Sequence, residues 1–255
     1  MVAGARVYLM VIWKRKEALD RPLKQEAVVP ADDYGSLRRE YAALAPRYNI
    51  RWKSYIAASV RETLKRAHIR SHDRVLDVGC GTGELLKAIS FAVPEARLAG
   101  IDVSLEMLKI ARSKSSGSVD MREGCAEALP FEDGVCDVVV SSSAFHFFRY
   151  PAAALTEMHR VLRVGGRIVL TDWCSDYLAC RLYDLILRLF SPGHFRAYNS
   201  KKISQLIYSE GFSEINIERY KISWLWGMMT VTAKKAPAAT TAQIPPRYHL
   251  GKQKP

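Results

Sequence analysis

Apolar positions recur along this chain in two periods. From about Ser54, residues Ile56, Val60 and Leu64 come four apart with Arg61 and Lys65 off their face, the spacing of an amphipathic helix. Arg74 to Val78 reads as a short apolar strand running into a glycine turn, and Glu84 to Val93 has helical character. Arg97 to Asp102 reads as a second strand, followed by a helix from Leu105 to Arg112 that Ser104 can cap. Further strands are predicted over 118–123, 136–142 and 167–172, with a helix over 151–162 that carries Pro151 in its first turn. Strands alternating with helices imply right-handed crossovers and a mainly parallel sheet.

The alternation breaks towards the end. Helical stretches over 178–190 and 200–210 lead to Gly211, then strands over 213–220 and 222–234 with only Lys221 between them. So short a connection cannot cross a sheet, which makes these two strands antiparallel neighbours. In the first of these helices Leu178, Leu182, Leu185 and Leu189 share one face, read as the face packed on the sheet.

With 255 residues, 49% apolar and 25% charged, the chain can bury the core of one α/β domain without metal or disulfide support. The apolar runs Val7 to Trp13, Val135 to Val140 and Ile222 to Ala233 all fall short of the roughly 18 residues a spanning helix needs. No small-residue cleavage site follows the first run, which argues against a secretory signal and for a cytoplasmic location. Cys80, Cys125, Cys136, Cys174 and Cys180 are irregularly spaced without paired CxxC motifs, so they read as reduced thiols and no metal site is expected. Residues 1–33 read as a poorly ordered extension and 34–235 as the domain. Residues 236–255, rich in Ala, Thr and Pro, read as a disordered basic tail. The net charge of +12 lies in the flanks: residues 1–30 carry +3 and residues 51–70 and 234–255 each carry +5, whereas residues 31–50 are neutral and residues 71–233 carry −1.

The candidate chemistry sits at the end of the first strand. Val75-Leu-Asp-Val-Gly-Cys-Gly-Thr-Gly-Glu84 places Asp77 and Gly79, Gly81 and Gly83 where ligands bind in open α/β sheets, with no Cβ to keep a backbone from a ligand. The dinucleotide fingerprint G-x-G-x-x-G/A fails, because its third position falls on Glu84 or Leu86, and no G-x-x-x-x-G-K-[ST] is present. Asp102 closes the second strand, 25 residues after Asp77, where an acid can accept from two ribose hydroxyls.

Four linked stretches, VLDVGCGTGELL (75–86), GIDVSLEMLKIAR (100–112), EGCAEALPFEDGVCDVVVSSSAFHFF (123–148) and LRVGGRIVLTDW (162–173), resemble the class I S-adenosylmethionine-dependent methyltransferases, in particular the small-molecule group with the quinone and sterol enzymes. The resemblance implies a Rossmann-like fold: a seven-stranded, mainly parallel sheet with an antiparallel strand from the C-terminal hairpin and helices on both faces. It implies S-adenosylmethionine as cofactor, its methionine moiety held by Asp77 and by the backbone of Gly79, Cys80, Gly81 and Gly83. The ribose would fall to Asp102 and Val103, the adenine to Cys125 and Ala126, and the surroundings of the reacting methyl to Ser142. Cys125 departs from the family, which usually has an acid there. Tyr41 and Tyr48 match a lid-like entry segment facing the cofactor. A substrate pocket is expected from Phe145, His146, Trp173, Tyr177, His194 and Tyr198, whose aromatic character suits a flat or lipophilic acceptor.

Methyl transfer from a sulfonium is an in-line displacement that needs positioning and water exclusion, so the protein supplies no nucleophile. For an acidic acceptor, His146 is the candidate general base. Two rival readings follow from the charge. Arg51, Lys53, Arg61, Lys65, Arg66 and Arg70 could track phosphates in an RNA or DNA methyltransferase, although the acid- or amide-Pro-Pro-aromatic signature is absent after the fourth strand. A non-catalytic cofactor-binding regulator could instead dock its basic helix and tail weakly on anionic lipid. The partner expected first is a small-molecule methyl acceptor; oligomeric state is left open.

Overall fold

The computed structural model describes residues 34–115, 119–190, 196–223, 226–237 and 249–250. Two helices, α1 (Gly35–Arg51) and α2 (Lys53–Ala67), precede the alternating body. The body runs β1 (Arg74–Val78), α3 (Glu84–Ala92), β2 (Arg97–Asp102), α4 (Leu105–Lys114), β3 (Asp120–Glu123), β4 (Cys136–Ser142), α5 (Pro151–Val161) and β5 (Leu162–Trp173). Then come α6 (Leu178–Phe190), α7 (Ser200–Ser209), β6 (Phe212–Lys221) and β7 (Gly227–Lys235).

The sheet order is β3-β2-β1-β4-β5-β7-β6, parallel through β5, with β7 antiparallel to both β5 and β6. This is the seven-stranded Rossmann-like arrangement expected. A two-residue strand β8, His249–Leu250, pairs parallel with β6 at the edge, within the stretch whose composition offers no packed face. The sequence positions 1–33, most of 236–255, and His194 lie outside the described residues.

Strand alternation divides the core. Leu76, Val139, Ile168 and Leu170 face one side with α5 and α7, whereas Val75, Val138, Val140 and Val169 face α3 and α4 on the other. Ser104 caps α4 by accepting from the Met107 N–H at 3.3 Å, and Asn199 caps α7. Pro151 stands in the first turn of α5.

Three expectations are corrected. The hairpin does not turn on Lys221 alone: Lys221 is the last paired residue of β6, opposite Gly227, and the Ile222 N–H donates to Trp226 O at 3.0 Å, so the second strand begins at Gly227 and not at 222. The strand predicted over 167–172 begins at Leu162, and its pairing with β4 is irregular between Cys136 and Val138. The leucine face of α6 does not pack on the sheet. Leu178, Leu182 and Leu185 are 70%, 54% and 57% exposed, while Cys180 and Asp184 are buried and Tyr183 and Leu187 pack against Trp173 and Met228. Amphipathicity identifies an apolar face without saying what covers it.

Candidate functional site

The turn after β1 is pinned to the neighbouring strand. Gly79 and Cys80 donate their N–H groups to Ile101 O at 2.8 and 3.0 Å, and the Gly83 N–H closes the turn on Cys80 O at 2.9 Å. Gly79, Gly81 and Gly83 have φ of 77°, 51° and 76°, in the left-handed region that glycine adopts without strain. The first two differ in surroundings. A Cβ on Gly79 would stand 2.5 Å from the Ala144 Cβ, whereas one on Gly81 would meet nothing within 4 Å and would project into an open cavity.

That cavity encloses about 940 Å³, a volume that includes its open mouth. It lies at the carboxyl ends of β1, β2 and β4, beneath α1 and α2. Of the cofactor residues expected from the sequence, Tyr41, Tyr48, Gly79, Cys80, Gly81, Asp102, Val103, Ala126 and Ser142 line it. Asp77, Gly83 and Cys125 are not on its wall. Cys125 sits between two residues that are, Gly124 and Ala126, and is half-buried, its thiol pushed up by burial and by Glu127.

Two acids set the polarity of the site. Asp77 is buried, and its Oδ1 has no hydrogen-bond partner among the described residues. Burial, and then the charge of Asp102, push its pKa up to about 8. An orphaned buried carboxyl oxygen is costly, and this one lies behind the wall that Gly79 and Asp102 form, where a cationic or hydrogen-donating group reaching past them would satisfy it. The Asp102 Oδ2 accepts from the Gly81 N–H at 2.8 Å and its Oδ1 from the Ser104 N–H at 2.9 Å, which fixes the carboxylate at the cavity wall. Each oxygen retains a lone pair for a ligand hydroxyl. Burial raises the Asp102 pKa and these backbone donors oppose the rise.

Helix α1 is fastened over the cavity at both ends. The Tyr34 hydroxyl donates to Glu127 Oε1 at 2.5 Å and accepts from the Arg149 N–H at 3.2 Å. At the other end Asn49 donates to Glu84 Oε1 at 2.8 Å and accepts from Thr82 Oγ1 at 2.7 Å, and Lys114 pairs with Glu84 at 2.6 Å. Between these fastenings Tyr41 packs edge-on to Phe147 with ring centroids 5.3 Å apart.

The far wall is aromatic and hydroxylic. Tyr55 donates to Ser143 Oγ at 2.7 Å and accepts from Trp173 Nε1 at 2.6 Å; Thr63 reaches Ser142 Oγ at 3.3 Å. Ser143 has φ of 59°, a conformation a non-glycine residue holds only when its surroundings impose it, and such strain gathers at functional sites. Tyr55 and Tyr41 are pushed well above the ordinary tyrosine range by burial, and Tyr48 up to about 12, so all three are neutral hydroxyls at neutral pH.

Among the described residues, the expected substrate residues Phe145, His146, Trp173, Tyr177 and Tyr198 do not line this cavity. His146 is buried behind Phe147, its Nδ1 2.7 Å from Asp172 Oδ1 and its ring stacked 4.7 Å from Trp173. Phe145 packs on Phe148 and Tyr198 in the core, and Tyr177 packs beside Gly227. Instead Phe147, Tyr55, Ser143, Met107, Tyr34 and Leu37 line the wall. Tyr55 and Phe147 were legible as neighbours of residues already singled out; Tyr34 and Leu37 lie in a helix with no clear period.

Comparison with known proteins agrees with this arrangement. Residues 76–170 match the model of a family described as methyltransferase domain. The chain is 30% identical over 159 residues to the ubiquinone/menaquinone biosynthesis C-methyltransferase UbiE of Geobacter, covering 56% of this chain and 65% of that one. It is 30% identical over 173 residues to the uncharacterized methyltransferase YcgJ of Bacillus subtilis, covering 64% and 68%. The similarity thus spans about two thirds of the length of these relatives. In structure it is similar to the Haemonchus contortus phosphoethanolamine N-methyltransferase 2 solved with S-adenosyl-L-methionine, with a TM-score of 0.66 at 15% identity, over 84% of this chain and 62% of that one. The glycine turn, the two acids and the strand order therefore have a common explanation: the chain belongs to the methyltransferase domain family.

Proposed function

We propose that the protein transfers a methyl group from S-adenosylmethionine to a small aromatic or lipophilic acceptor by in-line displacement. The observation that carries this reading is the composition of the cavity wall: the backbone of the glycine turn and the carboxylate of Asp102 together with Tyr41, Tyr48, Tyr55 and Phe147. When bound, the cofactor supplies a methyl group already activated on a cationic sulfur. The chain's own part is positioning. The orphaned Oδ1 of Asp77 would receive the cationic amino end, and the fixed carboxylate of Asp102 would accept from the ribose hydroxyls. Ala126 would offer its N–H to the adenine in place of the acid that Cys125 replaces. The aromatic rings and the fastened α1 exclude water and leave the acceptor a flat, apolar berth. The relative from Geobacter is named for quinone biosynthesis, which is in keeping with such an acceptor.

The His146 imidazole, oriented by Asp172, is one residue layer from the wall. For an acidic acceptor it would hold the released proton if Phe147 moves aside. If His146→Ala retains the wild-type kcat on an identified acceptor, the base role is lost and the pair is structural.

Nucleic acid as acceptor is the weaker reading, because part of the basic stripe on α2 is engaged internally. Arg66 is buried, pairs with Glu62 at 2.7 Å and Glu218 at 2.9 Å, and lies over the Tyr220 ring. The test is incubation with S-adenosylmethionine carrying a labelled methyl group and fractionated cell extract. Label in the organic-soluble fraction supports the proposal; label confined to RNA or DNA overturns it. Binding without label in any fraction favours a non-catalytic role.

A further inference from the structure

Helix α6 presents an apolar face that the fold leaves uncovered. Leu178, Leu182, Leu185 and Ile186 are 70%, 54%, 57% and 50% exposed, and with Arg181 they form one stripe at spacings of three and four. The opposite face holds the helix in place. Tyr183 packs 5.1 Å from the Trp226 ring and 5.7 Å from Trp173, Cys180 Sγ contacts Gly227 O at 3.2 Å, and Asp184 accepts from the Ala197 N–H at 2.6 Å. Anchored by these contacts, the leucines cannot rotate inward.

The exposed charge within the stripe is basic, and the acid that precedes the helix, Asp176, is paired with Arg219 at 3.1 Å. Among the described side chains of α6, the single acid, Asp184, is buried in that backbone contact, and Arg181 stands exposed within the stripe. At the helix start the exposed Lys221 places its ammonium 5.8 Å from the ring of Tyr177, next to Leu178. An apolar stripe with basic residues beside it is complementary to an anionic lipid surface, into which leucines insert while the cations meet headgroups. A second copy of this chain fits less well, since it would bring Arg181 and Lys221 against their own kind on a protein of net charge +12.

The helix is also close to the cavity. Tyr183 touches Trp226, whose ring lies 5.9 Å from that of Tyr55, a cavity-lining residue. We infer that α6 is an interfacial helix through which the protein docks peripherally on anionic membrane. The aromatic wall of the site would then be separated from the bilayer surface by the helix and by the rings of Tyr183 and Trp226. This surface is distinct from the basic helix and tail to which net charge alone would direct attention, and the docking does not depend on which acceptor is methylated.

Full-length protein is tested by co-sedimentation with vesicles of mixed phosphatidylglycerol and phosphatidylcholine and with vesicles of phosphatidylcholine alone. The expected result is a preference for the anionic vesicles of about fivefold per participating basic residue, declining with salt. The double variant Leu182→Asp/Leu185→Asp should lose about a hundredfold in partitioning while keeping its circular dichroism and its calorimetric affinity for S-adenosylmethionine. Three results would overturn the proposal: no binding to either vesicle, binding unaffected by the double variant, or a dimer in sedimentation that the double variant makes monomeric in the absence of vesicle binding. Because vesicle binding is read without an acceptor, its failure is distinguishable from a failure of methyl transfer.

Discussion

At the scale of single residues the glycine turn separates two kinds of requirement. Gly79→Ala should destabilise the protein by about 2–5 kcal/mol, since the new Cβ both meets the Ala144 Cβ and occupies a left-handed backbone. Gly81→Ala faces open space, so its stability cost is the backbone strain alone, about 1 kcal/mol, while the methyl intrudes on the cofactor cradle. Thermal denaturation and cofactor titration of the two variants should therefore give opposite rankings. Asp77 predicts the pH behaviour. With its folded pKa near 8, the carboxyl is protonated in the free protein at neutral pH, and a cationic ligand needs it ionised. Cofactor affinity should fall about tenfold for each pH unit below 8, with a proton released on binding, and Asp77→Asn should flatten the profile. The same shift acts on folding: an acid whose folded pKa is raised is not penalised below its unfolded pKa near 4. Its penalty grows as pH rises from there through 8, so Asp77 makes the unliganded protein less stable across that window. The expected acids and glycines of this site were legible because their roles depend on local geometry at strand ends. His146 and Trp173 were legible as pocket candidates after the fourth strand and at the end of the fifth but not as buried residues, because only the packed fold sets Phe147 against His146 and Tyr55 against Trp173 at the cavity wall.

At the scale of elements the strand-helix alternation from β1 to β5 could be read from periodicity and caps, and Ser104 and Pro151 stand where their chemistry requires. Helix α1 could not. Pro46 lies inside it, it has no side-chain cap, and just Leu37 and Ala45 are buried, so its stability comes from Tyr34 and Asn49 gripping other elements rather than from its own pattern. Asn49→Ala removes the link to both Thr82 and Glu84, hydrogen bonds worth about 1 kcal/mol each. It should raise the cofactor dissociation rate several-fold in stopped-flow measurements with little change in secondary structure. Helix α6 shows the reverse limit: its leucine face was plain in the sequence, but the side of the helix that meets the sheet was decided by Tyr183, Asp184 and Leu187.

At the scale of the whole molecule, among the described residues no helix is long and apolar enough to cross a membrane, and residues 71–233, which carry the glycine turn and both acids, have a net charge of −1. Electrostatics at the cavity are local, set by Asp77 and Asp102 rather than by the net +12. A ligand that binds this cavity in the folded state alone stabilises the fold by mass action. At a hundred times its dissociation constant the cofactor should add about 2.7 kcal/mol and raise the melting temperature by roughly 5–10 °C. The most direct test of the account is calorimetric titration of the protein with S-adenosylmethionine and with its demethylated product, S-adenosylhomocysteine. The account predicts one-to-one binding of both, weakened about a hundredfold or more by Asp102→Ala through the loss of two charge-assisted hydrogen bonds. Failure of both compounds to bind the wild-type protein, or equal binding by the Asp102→Ala variant, would contradict the assignment of this cavity to the cofactor.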